Sequence, residues 1–240
     1  MSEIKDYIDR SLKSEYKELK ILNETSVNKL VLYQHIYSGE KLVLIRSGYR
    51  NDEVFRKLKS MNTDGYTPVI YEVCSEDDYL YIIEEYVEGK TLSGYLENSE
   101  DLSEKDIIKY IKDLCCALEI LHSLGIVHRD VKPENVIIRN GKACLIDFSV
   151  AKAINYSRKD TMSLGTAGYA APEQYGITES NPATDIYALG VLANILITGE
   201  HPTTKIPGGK IGRIIRKCTD IQISKRYQSA QELKKQLNKL

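Results

Sequence analysis

The stretch that decides the fold is His128-Arg129-Asp130-Val131-Lys132-Pro133-Glu134-Asn135. It follows a helix-like stretch, Ser103 to Leu124, in which Ile107, Ile108, Ile111, Leu114, Leu118 and Leu121 recur at helical spacing. Ser103, three residues before Asp106, reads as a capping signature, and Gly125 as the stop. Downstream, Asn140-Gly141 sits between NVIIR and KACLID, a strong two-residue hairpin signal. The second strand of that hairpin ends at Asp147, so Asp130, Asn135 and Asp147 converge at one end of a short ribbon. A carboxylate beside an amide oxygen forms a hard-oxygen pair suited to Mg²⁺, which keeps substrate phosphates and waters as its other ligands. That assigns Asn135 and Asp147 to metal and leaves Asp130 to orient a hydroxyl and accept its proton. Lys132 can stabilise negative charge where a phosphoryl group moves. The plainer alternative is that the three polar groups are loop-capping hydrogen bonders.

Working outward, the texture changes along the chain. From about Tyr16 to Glu85 come short β-rich runs, KLVLYQHIY, KLVLIRS, PVIYEV and YLYIIEEY, the last two joined by the turn-like CSEDD. They are interrupted by NDEVFRKLKSM, in which Val54, Leu58 and Met61 share one helical face. After Gly89 the chain turns helical, with further helices expected near Ala183–Thr198 and Gln228–Leu240. The expected class is α+β: a β-rich lobe over residues 1–86, with a helical extension over about 1–15, then a larger helical lobe over 87–240, and a cleft between them.

Composition narrows the partners. Of 240 residues, 33 are Lys or Arg and 34 Asp or Glu, a net charge of −1. That balance argues against nucleic acid or an acidic membrane as main partner, since both reward a basic excess. The longest apolar run, near Tyr187 to Ile197, is broken by Gly190 and Asn194 and falls short of the ~20 residues a membrane helix needs. The charged start MSEIKDYIDR does not read as a secretory signal. Its amphipathic set, Ile4, Tyr7, Ile8 and Leu12, reads as a helix packed on the small lobe, its other face mixing acid and base. Five cysteines without a CxxC pair read as reduced packing residues, and the expected location is the cytoplasm. His35, His122 and His201 carry no partner pattern and read as packing or surface residues, while His128 reads as structural beside Phe148.

These motifs resemble the eukaryotic-type Ser/Thr protein kinases, in the minimal form of bacterial members. The resemblance rests on HRDVKPEN, then Asp147-Phe148, GTAGYAAPEQ (Gly165 to Gln174), TDIYALG (Thr184 to Gly190) and the late Arg226, in the family's order. It implies the bilobal protein-kinase fold and transfer of the γ-phosphoryl of ATP, with Mg²⁺, to Ser or Thr hydroxyls of a protein substrate. Asp130 and Lys132 would be catalytic, and Asn135 and Asp147 the metal ligands. Leu44, Arg46, the hinge residues Glu85 and Val87, and Ile137 would border the nucleotide. Glu173 would pair with Arg226, and Asp185 would anchor the catalytic loop. Lys132 and Thr166 are the residue types of Ser/Thr kinases, and GTAGYAAPEQ disfavours a small-molecule acceptor. Arg129 would meet a phosphate or brace the loop, with Thr161 and Ser163 as candidate phosphosites.

Several positions depart from the family pattern. LNETSVNKLVLY has no glycine where a glycine-rich turn would cradle phosphates, Asn23, Thr25 or Ser26, and Asn28 standing in its slots. Strand three, aligned as Val43-Leu44-Ile45-Arg46, puts leucine for alanine and arginine for lysine. Lys29 is a candidate substitute ammonium, and Val54 takes the place of the partner glutamate, with Glu53 about 100° round the helix. Glu84 stands at an apolar site, where Arg46 would be its counter-ion. Ser149 replaces the glycine after Phe148, and only EHPTTKIPGGK separates Gly199 from Ile211, shortening the substrate platform. These departures keep a second reading open: a pseudokinase, the same fold used as a regulatory module with impaired nucleotide binding.

Overall fold

A computed structural model describes residues 3–48, 51–98, 100, 102–154, 166–175 and 179–240. The chain divides into two compact units, Met1–Val87 and Glu88–Leu240, and its class is α+β.

In the first unit α1 (Glu3–Glu15) runs directly into β1 (Tyr16–Glu24), followed by β2 (Asn28–His35) and β3 (Lys41–Ser47). Then come α2 (Asp52–Lys59), β4 (Ile70–Glu76) and β5 (Tyr79–Glu85). The strands form one antiparallel sheet in the order β1-β2-β3-β5-β4. Directly opposed residues share a face, and side chains alternate along each strand. Tyr33, Leu42, Leu44, Arg46, Tyr81 and Ile83 therefore lie on one face. Leu12 of α1 is buried there against Leu42 and Cys74, with Tyr16, Tyr33, Leu44, Tyr81 and Ile83 packed around them. Leu12 thus does what the amphipathic start predicts, while the side chains of Ile4, Tyr7 and Ile8 lie outside the described residues. The opposite face carries Val43, Ile45, Leu80, Ile82 and Glu84.

Helix α2 has acid in its first turn (Asp52, Glu53) and base in its last (Arg56, Lys57, Lys59), which suits the helix dipole. It lies along β4 and buries Val54, Phe55 and Leu58. Met61 is not on that buried face: the helix stops at Lys59 and Met61 is left 37% exposed.

In the second unit β6 (Lys90–Thr91) precedes α3 (Leu92–Glu97), α4 (Glu104–Ser123) and β7 (Ile126–Val127). The ribbon β8 (Val136–Arg139) and β9 (Lys142–Leu145) follows, then β10 (Lys152–Ala153), which pairs with β7. Ser103 caps α4, its hydroxyl accepting from the Asp106 amide at 3.1 Å. Asn140 (φ 52°) and Gly141 (φ 73°) take the paired positive φ that a tight two-residue hairpin demands. The unit closes with α5 (Pro182–Thr198), α6 (Gly209–Cys218) and α7 (Ala230–Leu237). Helix α5 starts on an Asn181–Thr184 capping box, ends on left-handed Gly199, and is buried on nearly every side. An apolar seam among α4, α5, α6 and α7 is lined by Ile107, Ile111, Leu189, Ile215 and Leu233.

Helix α6 is absent from the sequence expectation, although Ile211, Ile214, Ile215 and Cys218 keep helical spacing and are buried. Gly209 and Gly212 obscure it, being poor helix formers. Gly212 is required by packing, since a Cβ there would lie 1.8 Å from the Pro207 carbonyl oxygen. Gly190 has the same role where α5 meets α6: its Cβ would fall 2.4 Å from that of Cys218. Gly190→Ala is expected to cost about 1–3 kcal/mol by overpacking. Urea denaturation should show a lower midpoint with an unchanged slope.

Candidate functional site

The site in the second unit is built on Asp185, in the first turn of α5 and fully buried. Its Oδ1 accepts from the Arg129 amide at 2.8 Å and its Oδ2 from the His128 amide at 2.9 Å. His122 Nε2–H donates to Oδ2 at 2.8 Å. His122 is therefore a partner of the loop anchor and not filler, a role its spacing in sequence does not reveal. The two amide bonds hold Arg129 at φ 72°, a left-handed conformation costly for a non-glycine residue. Gln174 braces the same turn, its Nε2 donating to the Arg129 carbonyl at 2.8 Å. The His128 ring is buried edge-on to Phe148, with centroids 5.4 Å apart. Its Nδ1 accepts from the Asp130 amide at 3.3 Å, which assigns the proton to Nε2, 3.2 Å from the Ile146 carbonyl.

Three expected side chains meet around Asp130. Its Oδ1 accepts from Thr166 Oγ1 at 2.7 Å, and its Oδ2 from Asn135 Nδ2 at 2.9 Å and Lys132 Nζ at 2.8 Å. Lys132 Nζ also donates to Thr166 Oγ1 at 2.8 Å, closing a triangle. Burial pushes the Asp130 pKa up, but the hydrogen bonds from Lys132 and Thr166 and the Lys132 charge outweigh it. The carboxyl consequently titrates below its ordinary value. It is a weak base held ionised, suited to aligning a hydroxyl.

Asn135 donates through Nδ2 to both the carbonyl and the carboxylate of Asp130, which leaves its amide oxygen as the group it can offer a cation. The Asn135 carbonyl accepts from the Ile146 amide at 2.9 Å, bringing this residue next to the end of the ribbon that carries Asp147. Asp147 is exposed, at φ 65°, with Ser149 N–H donating to its Oδ1 at 3.0 Å. An amide oxygen and an exposed carboxylate fit a Mg²⁺ ion that draws its remaining ligands from phosphates and water. Ile137, half-buried on β8, packs where Gly89 lets the chain pass, since a Cβ on Gly89 would lie 2.6 Å from its Cγ2. Thr161 and Ser163 lie outside the described residues.

The expectations for the first unit need correction. Leu44 and Arg46 lie on the face that α1 covers, and the Arg46 guanidinium stacks 4.7 Å over the Tyr79 ring. Arg46 is opposite Tyr81 and Glu84 opposite Val43, so the two point to opposite faces and do not pair. The alignment of strand three slips by one, and Ile45 takes the side chain direction expected of the strand-three cation. Lys29 is no substitute: it is opposite Arg46 and pairs with Glu24 at 3.1 Å. In the β1–β2 turn no described residue takes positive φ. The Val27 and Asn28 amides donate to Thr25 Oγ1 at 3.3 and 2.9 Å, so the turn spends on itself the N–H groups that would cradle a phosphate. Glu85 bonds Val69, its Oε2 accepting from that amide at 3.2 Å, and Val87 is buried.

Behind the site Glu173 and Arg226 form a buried two-pronged pair, at 2.7 and 2.9 Å. Thr184 Oγ1 donates to the same carboxylate at 2.9 Å, and Arg226 donates to the Ala183 and Asp220 carbonyls.

Comparison with known proteins gives one consistent result. The family described as the protein kinase domain matches residues 67–240. Serine/threonine-protein kinase PrkC of Bacillus subtilis is 30% identical over 207 residues, covering 81% of this chain and 32% of the relative. Serine/threonine-protein kinase D of Synechocystis is 28% identical over 249 residues, covering 93% of this chain and 46% of the relative. Serine/threonine-protein kinase PknA of Nostoc is 37% identical over 149 residues, covering 58% and 26%. The chain thus spans less than half the length of these curated relatives.

Burial pushes the Glu173 pKa up, and the Arg226 hydrogen bonds and charge, with Thr184, bring it below its ordinary value of 4.5. With a depressed folded pKa, the group's stabilisation is complete above the unfolded value and is lost as pH falls through the folded one. Glu173→Gln should cost about 3–5 kcal/mol at neutral pH, by stranding a buried guanidinium. Urea midpoints followed downward from pH 6 should fall less steeply for this variant than for the parent protein.

Proposed function

Because the chain belongs to the protein kinase domain family, we propose that it is a Ser/Thr protein kinase that moves the γ-phosphoryl group of ATP to a protein hydroxyl. The observation that carries this reading is the closed triangle of Asp130, Lys132 and Thr166, with Asn135 on the same carboxylate. Phosphoryl transfer asks little covalent chemistry of the protein and much positioning and charge stabilisation. Asp130 would align the acceptor hydroxyl and take its proton as the bond to phosphorus forms. Lys132 would meet the charge on the moving phosphoryl group. Mg²⁺, held by Asn135 and Asp147, would supply charge neutralisation at the phosphates. Ile137, Glu85 and Val87 are the proposed nucleotide contacts; Leu44 and Arg46 are withdrawn from that role. The partners would be proteins bearing Ser or Thr, and the proposed location is the cytoplasm. No described helix is long and apolar enough to cross a membrane.

A regulatory module with a weakened nucleotide site is the second reading, favoured by Ile45 standing where the strand-three cation is expected. The two readings separate on transfer from γ-³²P-ATP with Mg²⁺. A kinase labels itself or casein, and Asp130→Asn lowers the rate at least about 100-fold, the weight of a positioned general base. No label from the parent protein would overturn the first reading. The face assignment has its own test: Ile45→Lys should tighten ATP binding roughly tenfold, the weight of one charge-assisted hydrogen bond, while Arg46→Lys leaves it unchanged. Calorimetric titration with ATP reads both.

A further inference from the structure

We infer that His201, in the loop between α5 and α6, is a positioning residue for the segment Thr166 to Ala170, where a protein substrate would be held. This rests on the kinase reading. The short connection does not leave that segment unsupported, because the loop is itself fixed from below. Asn194, fully buried on α5, donates through Nδ2 to the carbonyls of Glu200 at 2.7 Å and Lys205 at 2.8 Å. Thr198 Oγ1 accepts from the Glu200 amide at 3.1 Å. The amides of Thr204 and Lys205 donate to the His201 carbonyl at 2.9 and 3.1 Å, closing one tight turn. The backbone that carries His201 is therefore tied to a buried helix at several points.

The direction of the imidazole follows from its partners. Nδ1 accepts from the Thr203 amide at 3.2 Å and lies 2.7 Å from Thr203 Oγ1. That assigns the ring proton to Nε2, which donates to the Gly168 carbonyl at 3.0 Å. Gly168 is exposed and held at φ 91°, a region L side chains rarely adopt. Two residues earlier, the Thr166 carbonyl accepts from the amides of Tyr169 and Ala170, both at 3.0 Å, and its hydroxyl bonds Asp130. The segment is thus fastened at Thr166 to the catalytic loop and at Gly168 to His201. Losing the second tie removes a single hydrogen bond at the surface, too little to unfold the chain. It frees the backbone next to Thr166, and ordering that backbone again when a protein acceptor docks would weaken acceptor binding by a comparable amount.

Two variants of the full chain test this: His201→Ala, and His201→Gln, whose amide can both donate and accept. Amide hydrogen exchange at Tyr169 and Ala170 should quicken about fivefold in His201→Ala, the weight of one neutral hydrogen bond, and return toward the parent rate in His201→Gln. The thermal midpoint should hold in both. With casein as acceptor, the KM for casein should rise by a similar factor in His201→Ala while the KM for ATP stays put. Unchanged exchange, or faster exchange with the casein KM unmoved, overturns the inference. Absence of transfer by the parent protein would instead remove the kinase reading and leave exchange to decide whether His201 holds the segment.

Discussion

A carboxylate with no solvent exposure must have donors on its oxygens or not be charged, and Asp185 holds three: the amides of His128 and Arg129 and the ring of His122. The partial positive charge at the start of α5 adds to them. The second unit depends on this arrangement, because the turn it holds is otherwise unfavourable. Arg129 sits in left-handed backbone, at a cost of about 1–2 kcal/mol that the Asp185 and Gln174 hydrogen bonds to its backbone offset. Held there, the chain delivers Asp130 to Thr166, Lys132 and Asn135. The Asn135 carbonyl in turn takes the Ile146 amide and registers the ribbon that ends at Asp147. The polar groups are placed by backbone hydrogen bonds to a rigid helix and do not place themselves.

The same logic explains why these residues were legible in sequence while their supports were not. Asp130, Lys132, Asn135 and Asp147 cluster within 18 positions of the chain, and the chemistry expected of them follows from residue type and spacing. Asn140-Gly141 and the cap at Ser103 announce themselves because each meets a local geometric demand. His122 and His201 gave no signal, since their partners Asp185 and Gly168 are distant in sequence and are brought near only by helix packing. Helix α6 was hidden for a related reason: Gly209 and Gly212 lower its intrinsic propensity, and the contact that requires Gly212 is with Pro207, which precedes the helix.

The sheet teaches a different lesson. Motif matching reads order along a strand, but a strand has two faces, and a slip of one residue exchanges them. Leu44 and Arg46 matched the pattern by position, yet pairing with Ile83 and Tyr81 puts them on the sheet face where Leu12 of α1 packs. The composition of β3 could not decide, because KLVLIRS is apolar on both parities, as expected of a strand covered on both sides. Only cross-strand register, fixed by β5 and β2, separates Ile45 from Arg46.

The stacking of Arg46 on Tyr79 then becomes intelligible in its own right. A guanidinium on a packed sheet face cannot be fully solvated, and a ring at 4.7 Å supplies a weakly hydrated cation with an electrostatic partner. The β1–β2 turn shows the same economy, with Thr25 taking up the amides that a glycine turn would leave open. In both places residues that resemble ligand contacts are engaged within their own unit, although the buried Arg46 Nε has no hydrogen-bond partner among the described residues. A cation or an amide already engaged must give up that partner before it can bind anything else.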